Sequence, residues 1–261
     1  MTDTLNLPST SDGSLGPDVI LRRTHDAPRF DPWLLVTFTG MIIVFLLLLY
    51  RSMGLLPIVM ADEWEYSLHS RLLPLAVTAR PFYLYLWLFR HTNYCGCAYL
   101  QCARVFNCVL FVGAAPFIYK TARQVTTSRV ATLVALLSIA APVNTYTAYY
   151  MPEAMYFAGF WVLSWFLFAF RRMPPYSYGF WAGIILAGMS MIKVHGIFLF
   201  PAVALLVIAL ALRSHASNHW RDLVVSLGCL ILGFAVVRFS LGFVFAGLGD
   251  AWWSTSALGP H

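Results

Sequence analysis

From Trp33 to Tyr50 the chain runs for eighteen residues without a charged side chain. Nothing else in the sequence limits the fold as strongly. A run of this length matches the ~17–25 residues that a helix needs to cross the hydrocarbon core of a bilayer, and inside that core a lone segment satisfies its backbone polar groups only as a helix. Six more apolar runs follow at 99–119, 130–149, 154–170, 178–195, 196–212 and 223–247, which gives seven expected transmembrane helices. Hydrophobic residues make up 60% of the 261-residue chain, against ~45–50% in a soluble domain. The expected fold class is an all-α integral membrane protein.

Residues 81–89, PFYLYLWLF, are apolar but number only nine before Arg90. They are too short to cross, and Tyr83, Tyr85 and Trp87 suit headgroup depth. Alternation of these aromatics with Leu84, Leu86 and Leu88 would also allow a strand. A lone strand at membrane depth leaves its backbone unpaired, so the expectation is an interfacial helix in the first outer loop. Residues 1–31 hold five of the eleven acids and are rich in Ser, Pro and Thr, a composition that cannot bury a core. The expected organisation is a disordered cytoplasmic tail over 1–31, a transmembrane domain over 32–250 and an outer C-terminal segment over 251–261. The first apolar run lacks a small-residue cleavage site and is expected to be retained rather than removed as a signal peptide.

The net charge of +6 would suit nucleic acid in a soluble protein, but here Lys and Arg punctuate apolar segments, as topology signals do. Nucleic acid is excluded as a partner on that ground. With the N-terminus in the cytoplasm, ten basic residues fall on inner segments and six on outer ones, Arg238 lying within the last span. The positive-inside rule then favours a cytoplasmic N-terminus in an inner membrane of bacterial type. Cys95, Cys97 and Cys102 fall within eight residues; a disulfide or metal cluster would fit the spacing, and the expectation is small apolar fillers near a helix end.

With that topology the acids sort by side. Asp62, Glu63, Glu65, Glu153 and Asp250 lie outside, and Asp222 alone lies inside. The stretch MADEWEYS, 60–67, places three carboxylates at the membrane surface directly after a span, where charge is costly and commonly functional. A solvated acidic loop is the plain alternative. Arg71 and Arg80 follow, and a guanidinium suits phosphate oxygens. Lys193 ends an apolar run; it either snorkels to the interface or contacts phosphate. Arg238 is flanked by apolar residues and should face the bundle interior, where phosphate or lipid binding and a helix–helix contact are equal alternatives. A carboxylate flanked by cations can deprotonate an acceptor hydroxyl while a phosphate leaving group is held.

In this order the residues resemble the GT-C glycosyltransferases, in the branch of protein O-mannosyltransferases and lipid A aminoarabinose transferases. Asp62, Glu63 and Tyr66 match the Asp-Glu-x-x-Tyr motif opening the first outer loop. RPFYLYLWLF from Arg80 is similar to the interfacial segment, ARVFNCVLF with Arg104 to the Arg-led second span, and Pro142 to the proline near the outer end of the third. Glu153 matches the acid opening the fourth span, and GIILAGMSMIK, with Gly183, Gly188 and Lys193, is similar to a Gly-containing span ending in Lys. MPE at 151–153 stands where relatives carry an Asp-containing pattern.

The resemblance implies an inverting transfer of sugar from a polyprenyl-phosphate donor to a lipid, glycan or protein acceptor on the extracytoplasmic face. Asp62 would be the general base, Glu63 and Glu153 would position the acceptor or a divalent cation, and Tyr66, Arg71, Arg80, Arg104, Lys193 and Arg238 would line the substrate. No metal ligands are assigned. Family members carry further spans or a soluble outer domain, so acceptor-recognising parts are expected to be missing or to lie on a longer chain. The alternatives are a transporter or flippase of a phosphorylated lipid, or a non-catalytic remnant.

Overall fold

The computed structural model describes residues 31–55, 60–77, 82–213 and 219–246. The chain divides into residues 1–32 and a second unit, 33–261; the expected tail lies outside the described residues apart from its last position, and the C-terminal segment lies outside them entirely. Every regular element among the described residues is helical, with no strand. The ten α-helices are α1 (Pro32–Ser52), α2 (Ala61–Arg71), α3 (Tyr83–Arg90), α4 (Tyr99–Val112), α5 (Ala115–Ala122), α6 (Ser128–Ala140), α7 (Glu153–Ala169), α8 (Pro175–Ile192), α9 (Leu199–Arg213) and α10 (His219–Ala246).

Each of the seven apolar runs read from the sequence lies on one of these helices or on a broken pair. By length and composition, Pro32–Ser52, the helical stretch Tyr83–Ala122 and Trp220–Phe245 could cross a membrane. A bent pair, Ser128–Ala140 with Pro142–Ala148 at 49°, would make four. The helices Glu153–Ala169 and Val194–Leu210 are apolar but shorter. These features are consistent with an integral membrane protein. Leu35, Ile42, Leu46 and Leu47 on α1 are exposed, as side chains facing lipid would be.

Local sequence explains the breaks. Ala141 precedes Pro142 and is extended at φ −63° and ψ 157°, because a proline disfavours helical backbone in the residue before it. The stretch Tyr83–Ala122 is interrupted by the 3₁₀ segment His91–Ala98, where Gly96 takes φ +54°, a conformation cheap only without a Cβ. That curl also corrects the reading of the cysteines. Cys95 and Cys102 are joined in a disulfide with Cα atoms 6.5 Å apart, while Cys97 is free and exposed. They are a cross-link and a surface thiol rather than apolar fillers.

Two polar or small-residue contacts hold the long helices together. Thr37 of α1 and Thr132 of α6 share a hydrogen bond of 3.1 Å, and Thr132 also donates to the Trp33 carbonyl at 3.2 Å. Hydroxyls of this kind bridge helices where no hydrophobic drive separates protein from lipid. Between α8 and α10 the backbones touch. A Cβ on Gly179 or Gly183 would fall on the carbonyl oxygen of Ser226 or Leu230, and one on Gly233 would fall on that of Phe180. The family-like pair Gly183 and Gly188 is only half of this, since Gly188 meets nothing.

One apolar core joins α1, α4, α5, α6 and α7 around Phe111, Ile118 and Ile139. A second fills the space among α7, α8, α9 and α10 around Leu186, Met189 and Leu230. A third, with Tyr85, Leu86, Phe89, Leu100 and Tyr150, lies under α2 and carries the site.

Candidate active site

The site begins at the first turn of α2. Met60 is the N-cap, and its N–H donates to Glu63 Oε2 at 3.4 Å, the return half of a capping box. Glu63 is only 2% exposed, and its Oε1 accepts the Tyr150 backbone N–H at 2.8 Å. One carboxylate therefore ties the start of α2 to the chain just ahead of α7. Asp62, one residue earlier, is exposed, and Glu65 faces His69 one turn on, at 3.9 Å. The three acids of the opening loop thus have three different environments.

Tyr150 is the hub beneath them. It is fully buried; its hydroxyl donates to the Phe89 carbonyl at 3.1 Å and lies 2.8 Å from the Ser70 hydroxyl and 3.1 Å from that of Thr92. Burial pushes the Tyr150 phenol above its usual range, and the hydrogen bonds to Ser70 and Thr92 pull it part of the way back. It stays a neutral donor. Tyr66 packs on Phe82 and Tyr85 with ring centroids 5.6 and 5.5 Å away.

The segment that delivers Tyr150 is clamped by side chains from other elements. Arg51 donates to the side chain and carbonyl of Asn144 at 2.8 and 2.9 Å. Arg104, 4% exposed, donates to the carbonyls of Ala148, Ser52 and Leu55 at 3.0, 3.3 and 3.1 Å. Asn107 donates to the Tyr149 carbonyl at 2.7 Å. Such donors serve where a bent backbone leaves carbonyls that no helix can satisfy.

Glu153, in the first turn of α7, meets Lys193, which follows α8 in extended conformation; Nζ donates to Oε1 at 2.6 Å. Glu153 Oε2 is buried without a partner, and so is the Tyr85 hydroxyl. Both Glu63 and Glu153 are close enough to act on that hydroxyl electrostatically. Glu153 Oε2 and the Tyr85 hydroxyl are thus two buried polar atoms left without a hydrogen bond near the paired loops.

The remaining expected site residues divide. Arg71 stacks its guanidinium 3.3 Å over Tyr99, donates to Asn93 Oδ1 at 3.0 Å and receives the Asn93 amide on its carbonyl at 2.8 Å. Arg238 is half-buried and acts on Tyr83 of α3. Arg80 lies outside the described residues. No group of three or more His, Cys, Asp or Glu side chains suited to a metal ion occurs among the described residues. Both Glu63 oxygens are engaged by backbone N–H donors, so Glu63 does not fit as a ligand to the divalent cation the resemblance allowed.

The sequence pointed to none of Tyr85, Tyr150, Ser70, Thr92 or Asn107. The faint signal was the polar-aromatic stretch NTYTAYY before MPE, unusual at the end of an apolar run. No family model, curated protein or solved structure matches this chain.

Proposed function

We propose that this protein is a seven-span membrane glycosyltransferase that uses a polyprenyl-phosphate sugar and works on the extracytoplasmic face. The reading rests on the Tyr150 N–H to Glu63 hydrogen bond. That bond joins the Asp-Glu turn to the chain three residues ahead of Glu153, so two acid-bearing loops distant in sequence become one surface. The Cys95–Cys102 disulfide supports placing this surface outside, since disulfides persist in oxidising compartments.

Asp62 is the exposed acid of the motif and serves as general base. It takes the proton of an acceptor hydroxyl, whose oxygen attacks the anomeric carbon, while the bond from that carbon to the phosphate oxygen breaks and the polyprenyl phosphate leaves with the electron pair. Inversion follows from the single displacement. Glu63 and Arg104 act by positioning, the first through α2 and Tyr150, the second through the carbonyls it clamps. Lys193 holds Glu153 with one of three ammonium N–H groups and has the others for the phosphate, with Arg80 as its partner by resemblance. The lipid tail would lie against the apolar helix faces.

The test is transfer of radiolabelled sugar from a polyprenyl-phosphate donor by the purified full chain. Asp62→Asn should lower the rate by about 10²–10⁴-fold, the usual worth of a general base, with donor binding retained. Undiminished transfer would remove Asp62 from the mechanism. Arg238, half-buried without a hydrogen bond or ion pair to any described residue, favours a second reading in which a phosphorylated lipid is translocated. Movement of the lipid across vesicle membranes with no covalent product would select that reading.

A further inference from the structure

A cavity of about 230 Å³ opens where the ends of α8, α9 and α10 meet. It lies at Pro175 and Tyr178, the start of α8, whereas Lys193 follows the end of that 18-residue helix. At 1.5 Å per residue the two are separated by roughly 27 Å, close to the ~30 Å thickness of a hydrocarbon core. In the proposed seven-span arrangement α8 crosses the bilayer, which puts the cavity and the candidate active site at opposite membrane surfaces.

Its lining has two charges of opposite sign on an apolar wall. Arg171, just past α7, and Asp222, in the first turn of α10, both line it, and neither makes a hydrogen bond or ion pair with any described residue. A half-buried carboxylate with no partner is an arrangement that folding alone does not reward, because Asp222 loses part of its hydration without gaining a contact, while the Arg171 guanidinium is exposed and open to a ligand. Tyr178 and Ser226 do not neutralise them; their hydroxyls donate to the Leu167 and Pro175 carbonyls at 2.8 and 3.1 Å. Val207 and Leu210 of α9 form the apolar wall.

We propose that this cavity binds the headgroup of a phospholipid carrying both a phosphate and a primary ammonium. The phosphate pairs with Arg171, whose guanidinium suits two oxygens at once. The ammonium pairs with Asp222, and the first part of the acyl region lies along Val207 and Leu210. The volume suits a headgroup better than a whole ligand, since pockets for drug-sized molecules run to ~300–1,000 Å³. Charge complementarity decides for an ammonium-bearing zwitterion: a glycerol headgroup has no cation for Asp222, and a choline headgroup has no N–H to donate. The inference rests on none of the transferase reading.

Native mass spectrometry of the full chain in detergent, offered equal amounts of dioleoyl phosphatidylethanolamine, phosphatidylglycerol and phosphatidylcholine, reads the preference as a ratio within one sample. Phosphatidylethanolamine should be retained about tenfold over the others, the worth of one charge-assisted contact. Asp222→Asn should erase its advantage over phosphatidylcholine, and Arg171→Gln should weaken retention of all three. The wild-type and Asp222→Asn readouts are ratios within one sample, which partial unfolding cannot imitate. Equal retention of the three lipids by wild type, or an unchanged ratio in Asp222→Asn, would overturn the proposal. Displacement of the lipid by an equal concentration of soluble phosphoethanolamine would overturn it too, by showing that the hydrocarbon wall contributes nothing.

Discussion

Lys193 and Glu153 stand forty residues apart and share a hydrogen bond of 2.6 Å with both side chains about three-quarters shielded. Read from sequence, Lys193 either snorkels or contacts phosphate, and snorkelling would make its removal cost little. The pairing changes that expectation. Lys193→Met should lower the thermal unfolding midpoint in detergent by an amount equivalent to about 1–3 kcal/mol, the cost of leaving a shielded polar partner unmet. Adding Glu153→Gln should restore most of it, and a double-mutant cycle measures the coupling; additive losses would dissolve the pair. The acids of the candidate site stood out in the sequence, yet their environments did not. Asp62 and Glu63 are neighbours in the chain, and only the phase of the capping turn decides that Glu63 goes inward to Tyr150 while Asp62 faces out. No pattern in MADEWEYS fixes that phase without the partner loop. Arg104 shows the same gap, the family resemblance suggesting a ligand contact while the guanidinium donates to three backbone carbonyls.

Helices were readable from apolar length, and proline and glycine marked most of their ends. Residues 81–89 were expected as helix on the ground that a lone strand cannot satisfy its backbone, and α3 covers Tyr83–Arg90. Which glycines matter was not readable, because that depends on which face of α8 meets α10. Gly183→Leu should disrupt the pair, since the new side chain would meet the Leu230 backbone rather than a movable side chain, and overpacking typically costs ~1–3 kcal/mol. Gly188→Ala, placed in open space, should be neutral or mildly stabilising, as helix propensity favours Ala over Gly by about 1 kcal/mol. Unfolding midpoints of the two variants, compared side by side, check this; equal losses would refute the packing.

For the whole molecule, the proposed orientation makes a prediction that needs little engineering, because native Cys97 is already exposed. An impermeant thiol reagent should label Cys97 on intact cells, whereas Val125→Cys in a Cys97→Ser background should be labelled only after permeabilisation. The reverse pattern would invert the topology and the site with it. Apolar run lengths made the all-helical class legible, and the crossing count less so, since α7, α8 and α9 are short and a bend divides α6 from 142–148. The disulfide in the first long loop also sets an order of assembly. Cys95 and Cys102 leave the ribosome forty-eight residues before Tyr150, which at 5–20 residues per second is a lead of roughly 2–10 s. On the proposed orientation the ring has that interval in which to close before the residue that will be buried against Thr92 and Phe89 has been made. The oxidising machinery of the cell can thus act on a receptor for Tyr150 ahead of a finished site, and the timing of translation becomes part of how the proposed catalytic face is built.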